Sequence, residues 1–166
     1  AAQADIIVTL DGDGQNDPAD IPTLYGALKE APNLDHLLVT GYRTKRQDAW
    51  IKRISSKAAN KVRSGLLGDN TPDTGCGLKV FTRTAFLDMP YFDHMHRFLP
   101  ALMLRQGGAV ISLKVNHRPR ERGISNYGTL DRLAVGIVDL LGMLWLQRRA
   151  NKPEVKEFIG KEKILK

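Results

Sequence analysis

Apolar positions recur along this chain at two different periods, and the points where the period changes outline its elements. Asp5-Ile6-Ile7-Val8-Thr9-Leu10 is a short apolar run with the look of a buried strand, and it leads directly into Asp11-Gly12-Asp13-Gly14-Gln15-Asn16-Asp17. From Pro18 to Glu30 the period becomes helical. Ile21, Leu24, Tyr25 and Leu28 share a face, Asp17 is a candidate N-cap and Pro18 stands at the first helical position. Leu37 to Thr40 is another short apolar run, closed by Gly41. Trp50, Ile54, Ala58, Val62 and Leu66 then mark every fourth residue beside a basic stripe of Arg53, Lys57 and Lys61, which predicts an amphipathic helix ending near Gly68. Gly77 to Thr82 reads as a strand, Phe98 to Gln106 as a helix stopped by Gly107-Gly108, and Ala109 to Val115 as a final strand. Such alternation predicts an α/β fold with a parallel sheet, whose ligand site lies at the strand carboxyl ends. The acidic stretch sits at one of those ends. No internal repeat or low-complexity linker interrupts the pattern.

The last apolar stretch, Leu130 to Leu146, is rich in Leu, Ile, Val, Met and Trp but is broken by Asp131, Arg132 and Asp139. Crossing a bilayer takes about 20 mostly apolar residues, and this run stops at Gln147-Arg148-Arg149. Its basic flanks and Trp145 suit an amphipathic helix lying in a membrane interface, with an oligomer or core helix as the alternative. The expected division is therefore a folded domain over 1–128 and an amphipathic membrane-interface or oligomerisation helix with a basic tail over 129–166.

Composition narrows the partners. With 166 residues and 42% hydrophobic content the chain can bury one sizeable core. A formal charge of +7 and a pI near 9.7 favour an anionic partner. Nucleic acid is disfavoured, because aromatics make up 7% of the chain and are not interleaved with the basic residues. The lone cysteine, Cys76, excludes an internal disulfide framework and a zinc cluster, and reads as a small buried hydrophobe. The first residues carry no signal-peptide pattern, so the cytoplasmic side is expected. Ala1-Ala2-Gln3-Ala4 runs almost at once into a buried strand, which points to sequence upstream.

The acidic stretch carries the chemistry. Strand alternation throws Asp11 and Asp13 to the same side, while Gly12 and Gly14 let the backbone turn and a bulky ligand approach. A hard divalent cation, Mg²⁺ or Mn²⁺, prefers such oxygen ligands and completes its shell with substrate phosphates. A helix-loop-helix calcium loop is excluded, since it requires Gly where Asn16 stands and Glu where Pro22 stands, after a helix rather than a strand. An ordinary turn remains the plain alternative.

Several blocks, in order, resemble the family 2 glycosyltransferases, in their dolichol-phosphate mannosyltransferase and bacterial polyprenyl-phosphate glycosyltransferase branch. They are Thr9 to Pro18, Gly41-Tyr42-Arg43, Lys52 to Asn60, Asp73-Thr74-Gly75-Cys76-Gly77-Leu78-Lys79, His96-Arg97-Phe98-Leu99-Pro100, and Arg118 to Tyr127. Together they cover most of residues 5 to 128. The resemblance implies a GT-A (Rossmann-like) fold with a mixed, mainly parallel sheet flanked by helices, lacking its first βα units. It further implies a metal-dependent, inverting transfer of a hexose from a nucleotide sugar to a polyprenyl phosphate.

Asp11, Asp13 and Gln15 match the family's metal-binding positions, with Asp13 and Arg120 as the catalytic candidates. Arg43, Lys52 and Ser56 match acceptor-phosphate positions, with Arg53 beside them. Arg120 and Ser125 match a second phosphate-holding loop, with Arg122 a further candidate beside Gly123, consistent with the planar fork that Arg offers to phosphate. Asp73 and His96 are candidate substrate contacts, whereas His94 and His117 read as loop residues. The chain departs from the pattern in two places. Asn126 stands where a Lys is common, and His94-Met95-His96-Arg97 replaces the acidic base pair of many inverting relatives. A phosphate monoester, with a second pKa of about 6, is already mostly ionised and needs no general base, so this loss favours a lipid-phosphate acceptor over a hydroxyl. The expected setting is the cytoplasmic face of a membrane, with a homo-oligomer open. The rival is a non-catalytic, membrane-associated remnant or partner subunit of the same fold.

Overall fold

The computed structural model describes residues 3–32, 36–43, 60–119 and 129–149, with 129–134 by backbone alone. Among these, four strands build one sheet: β1 (Ile6–Thr9), β2 (Leu37–Arg43), β3 (Lys79–Thr82) and β4 (Ala109–Val115), in the order β1-β3-β2-β4. β2 and β4 pair in parallel, from Leu37 opposite Ala109 to Arg43 opposite Val115. β3 is antiparallel to both β1 and β2. Three strands thus point one way and β3 alone opposes them, giving a mixed sheet. The simple alternation read from the sequence did not show this inversion. β3 is entered from the Asp73–Leu78 loop, which lies at the end of the sheet where β1 and β2 finish, so the strand has to run back from there.

Both faces of the sheet are covered, which explains why β2 is buried from Leu37 through Gly41 instead of alternating. Successive side chains go to opposite faces. On one face α1 (Ile21–Glu30) lays Leu24 and Leu28 over Leu37, Val39, Leu78, Val80 and Val115. On the other, Leu38 and Phe81 meet α3 (Arg83–Leu87), a turn at Met95–Arg97, α4 (Leu99–Arg105) and Met143 of α5 (Thr129–Arg148). Each such fully buried Leu or Phe contributes roughly 1.5–3 kcal/mol. The sequence expects one helix from Pro18 capped by Asp17; in the structure Asp17 Oδ1 accepts the Ala19 amide at 3.0 Å to cap a short 3-10 turn, Pro18–Asp20, and α1 follows from Ile21 without a side-chain cap of its own. Tyr25 departs from the expected stripe. It lies at the solvent edge, 40% exposed, beneath the Lys29 ammonium.

Two other elements differ from the sequence reading. α2 is helical over 60–67, but Val62 and Leu66 face solvent there, while Leu67 is buried. The inward face is set by Arg63, whose guanidinium meets the buried Asp69 carboxylate at 2.7 Å, so Arg63 and Leu67, one turn apart, point to the body. Residues 50–59 lie outside the described residues. α3 was not anticipated; Thr82 starts it by accepting the Ala85 amide at 3.1 Å.

α5 has an apolar surface on two sides. Leu140, Met143, Leu144 and Leu146 pack on the second core, and polar contacts reinforce them: Arg105 Nε donates to the Leu146 carbonyl at 3.1 Å and Gln147 to the Leu67 carbonyl at 3.0 Å. Val135, Val138, Leu141 and Trp145 point outward. Among the described residues no helix is long and apolar enough to cross a membrane.

Candidate active site

The inversion of β3 brings four backbone segments to one end of the sheet. β1, β2 and β4 end there and β3 begins there, so the acidic turn, Arg43, the Asp73–Leu78 loop and Asn116-His117-Arg118 become neighbours. The β1–β3 register pairs Thr9 with Lys79, and continuing it by two residues sets Asp11 opposite Gly77. This pairing has a direct steric consequence. A Cβ on Gly77 would overlap the Asp11 carboxylate, so that carboxylate lies on the bare Cα of the glycine. Thr9 Oγ1 holds the ladder closed by donating to the Gly77 carbonyl at 2.8 Å.

The turn itself is folded by its own side chains. Asn16, 6% exposed, accepts the Asp11 amide on its Oδ1 at 2.9 Å, and its Nδ2 faces the Cys76 sulfur at 3.8 Å. The Gln15 amide donates to Asp13 Oδ1 at 3.1 Å, and Gly14 takes a positive φ of 77° to let the chain reverse. These contacts hold Asp11, Asp13 and Gln15 on a fixed backbone.

Beside the turn, Arg43 and Asp73 form a two-pronged ion pair. Arg43 Nε lies 2.6 Å and Nη2 2.9 Å from the two carboxylate oxygens, and the side chains are 9% and 7% exposed. Burial opposes the charged guanidinium, but the hydrogen bond and charge of Asp73, helped by Cys76 and Asp11, outweigh it and hold Arg43 above its ordinary pKa. The sequence placed Arg43 at the acceptor phosphate and Asp73 near the sugar; in the structure each is the other's partner. Behind them Cys76 is fully buried, and burial pushes its thiol up.

Lys79 escaped the sequence reading as a site residue. It is 4% exposed, and its ammonium donates to the Cys76 carbonyl. Burial drives its pKa down, against the pull of Cys76, Asp11 and Asp73. The available signal was a single cation inside an otherwise apolar strand, Leu78 to Thr82.

The segment after β4 is also tied to the acidic turn. Arg118 N donates to the Gln15 carbonyl at 3.0 Å, Arg118 Nη2 meets Asp17 at 2.7 Å, and Asn116 donates twice to the Asp20 carboxylate, at 2.7 and 3.0 Å. His117, read from sequence as a loop residue, lies against the Gln15 amide, with Nε2 3.4 Å from Nε2. His94 pairs with Asp139 of α5 at 3.1 Å. His96 is near enough to the site to feel it: burial and the charges of Arg97, Lys79 and His94 lower its pKa, against Asp11. Lys52, Arg53, Ser56, Arg120, Arg122 and Ser125 lie outside the described residues.

Asp11, Asp13 and Gln15 offer two carboxylates and an amide oxygen, a donor set that fits a hard divalent cation. The glycine seat leaves room for the Asp11 carboxylate, which any larger residue at position 77 would displace. Among the described residues no group of three or more His, Cys, Asp or Glu side chains gathers. A cation held here therefore takes further ligands from elsewhere, as Mg²⁺ and Mn²⁺ do with substrate phosphates.

No protein-family profile matches the chain. Curated proteins do. It is 34% identical over 155 residues to the dodecaprenyl-phosphate galacturonate synthase of Rhizobium johnstonii, covering 92% of this chain and 45% of that protein. It is 33% identical over 129 residues to the undecaprenyl-phosphate 4-deoxy-4-formamido-L-arabinose transferase of Aeromonas hydrophila, covering 78% and 38%. The chain thus spans less than half the length of these relatives. Among solved structures, it is similar in fold to glucosyl-3-phosphoglycerate synthase from Mycobacterium tuberculosis in complex with Mn²⁺, UDP-glucose and glycerol 3-phosphate. That likeness has a TM-score of 0.55 at 18% identity and covers 92% of this chain and 52% of the other. By sequence and by fold, the chain belongs to the family 2 glycosyltransferases with a GT-A fold, in their polyprenyl-phosphate branch.

Proposed function

We propose that this chain takes part in an inverting transfer of a hexose from a nucleotide sugar to a polyprenyl phosphate at a membrane surface. The observation that carries the reading is the end of the sheet. Asp11 is seated on Gly77 there, and the segment leading to Arg120 is tied to the same acidic turn through Arg118 and to Asp20 just beyond it through Asn116. Asp11, Asp13 and Gln15 would hold Mg²⁺ or Mn²⁺. When bound, the cation supplies charge neutralisation for a departing nucleoside diphosphate.

The chain's own residues do the rest. Lys52, Arg53, Ser56, Arg120, Arg122 and Ser125 gather the acceptor phosphate, while Arg43 and Asp73 brace the loop that backs Asp11. A phosphate oxygen forms the bond to the anomeric carbon as the bond to the diphosphate oxygen breaks. With a second pKa of about 6 the phosphate arrives ionised, so His94 to Arg97 need supply no general base. Holding the two anionic reactants near the attack line provides most of the acceleration.

Membrane contact is assigned to the outward face of α5. Val138, Leu141 and Trp145 enter the interface, and Arg148 and Arg149 meet anionic headgroups. The cytoplasmic face is the proposed side.

The test incubates the protein with a panel of nucleotide sugars and a polyprenyl phosphate, with and without EDTA, and looks for the polyprenyl-phosphate sugar by mass spectrometry. Metal-dependent product that vanishes in Asp13→Asn supports the reading. Turnover indifferent to both EDTA and Asp13→Asn, or transfer to hydroxyls in place of the lipid phosphate, refutes it.

A further inference from the structure

Lys79 is a buried cation at this end of the sheet to which the proposed reaction gives no role. Strand register puts it across from Thr9, two residues before Asp11, and two residues beyond the glycine on which Asp11 rests. Alternation places Thr9, Asp11, Gly77 and Lys79 on one face of the sheet. Lysine is rarely buried without a reason, because its ammonium is strongly hydrated. Here a carbonyl of the neighbouring loop, that of Cys76, takes its hydrogen bond. The balancing negative charges are Asp11 and Asp73, and Asp73 is already occupied by Arg43.

We propose that Lys79 is a positioning residue of the cation site: its buried ammonium, fixed by the Cys76 carbonyl, offsets the acidic turn from beneath. The turn then holds a divalent cation loosely when the cation comes alone and firmly when it arrives with an anionic diphosphate. The reason is the sign of the field. A fixed positive charge near Asp11 repels a free dication but attracts a metal-diphosphate complex whose net charge is negative. Such a site binds the complete donor in preference to bare metal and releases the cation with the departing diphosphate. This inference rests on the acidic turn being the metal site, and its test separates the two.

Mn²⁺ binding is measured by electron paramagnetic resonance on the purified protein, with Mn²⁺ alone and with Mn²⁺ plus inorganic pyrophosphate. Lys79→Met removes the charge at nearly constant volume, and Lys79→Gln keeps a donor for the Cys76 carbonyl should the methionine variant not fold. The expected result is a crossed one. Mn²⁺ alone binds about fivefold tighter and Mn²⁺-pyrophosphate about fivefold weaker, the size of one unit charge acting through partly solvated protein. A structural defect lowers both affinities together, so a common loss, or no change in either, overturns the assignment. If the parent protein itself binds no Mn²⁺, the metal reading of the acidic turn falls, and the role of Lys79 falls with it.

Discussion

The Arg43–Asp73 pair makes the sharpest prediction, because its loss can be sized from the geometry. Asp73 accepts from Arg43 Nε at 2.6 Å, from Nη2 at 2.9 Å and from the Arg43 backbone amide at 3.3 Å. Both side chains are less than a tenth exposed, at 9% and 7%, so water cannot take over these bonds. Asp73→Ala therefore strands a buried guanidinium, and breaking a buried pair from one side costs about 3–5 kcal/mol. In a chain of 166 residues each kcal/mol moves the melting temperature by roughly 2–4 °C, so the variant melts about 10 °C lower. Replacing both partners by apolar groups, as in Arg43→Met with Asp73→Leu, removes the stranded charge and recovers much of the loss. Thermal melts followed by circular dichroism at neutral pH decide the matter, on Asp73→Ala, on Arg43→Met and Asp73→Leu singly, and on the double that combines them. The reasoning is refuted if Asp73→Ala melts within about 2 °C of the parent, or if the double variant loses the sum of the singles. A carboxylate whose main partner was the sugar would change KM and leave the melt alone.

Three more outcomes follow from the same geometry. Gly77→Ala pushes the Asp11 carboxylate off its seat and weakens Mn²⁺ binding about tenfold or more, a magnitude typical of disturbed ligand support; unchanged affinity by electron paramagnetic resonance would contradict it. His96 titrates below 6.5 in the folded chain. The unfolded chain thus binds more protons in that interval, so stability from this group is complete above about pH 6.5 and is lost as pH falls through the folded value. The effect is small because His96 is largely exposed; an NMR titration with its midpoint at or above 6.5, or a His96→Gln variant with an unaltered acid slope, counts against it. Finally, in a Trp50→Phe background, Trp145 fluorescence shifts to the blue on adding vesicles rich in anionic lipid. Leu141→Glu abolishes the shift, and an identical response to neutral vesicles would argue against the basic flank.

The sequence by itself determined what depends on local spacing. The strand run before Asp11, the Asp17 cap ahead of α1, the helical period of α4 and α5 and the bounds of β4 all come from residues a few positions apart, and so does the acidic turn with Asp11 and Asp13. The ordered motifs named the family for the same reason, since each block is contiguous. Tertiary structure alone decided the rest. The reversal of β3 depends on where the preceding loop crosses the sheet, and only that reversal sets Asp11 on Gly77 and Lys79 beside them. Arg43 finds Asp73 across 30 residues and Gln15 finds His117 across 102, pairings that no periodicity encodes. The inward face of α2 likewise turned on Arg63 reaching Asp69, against the apolar pattern. Hydrophobic period is a one-dimensional property of the chain, whereas steric room beneath a carboxylate and compensation of a buried charge exist only after distant segments are brought into register.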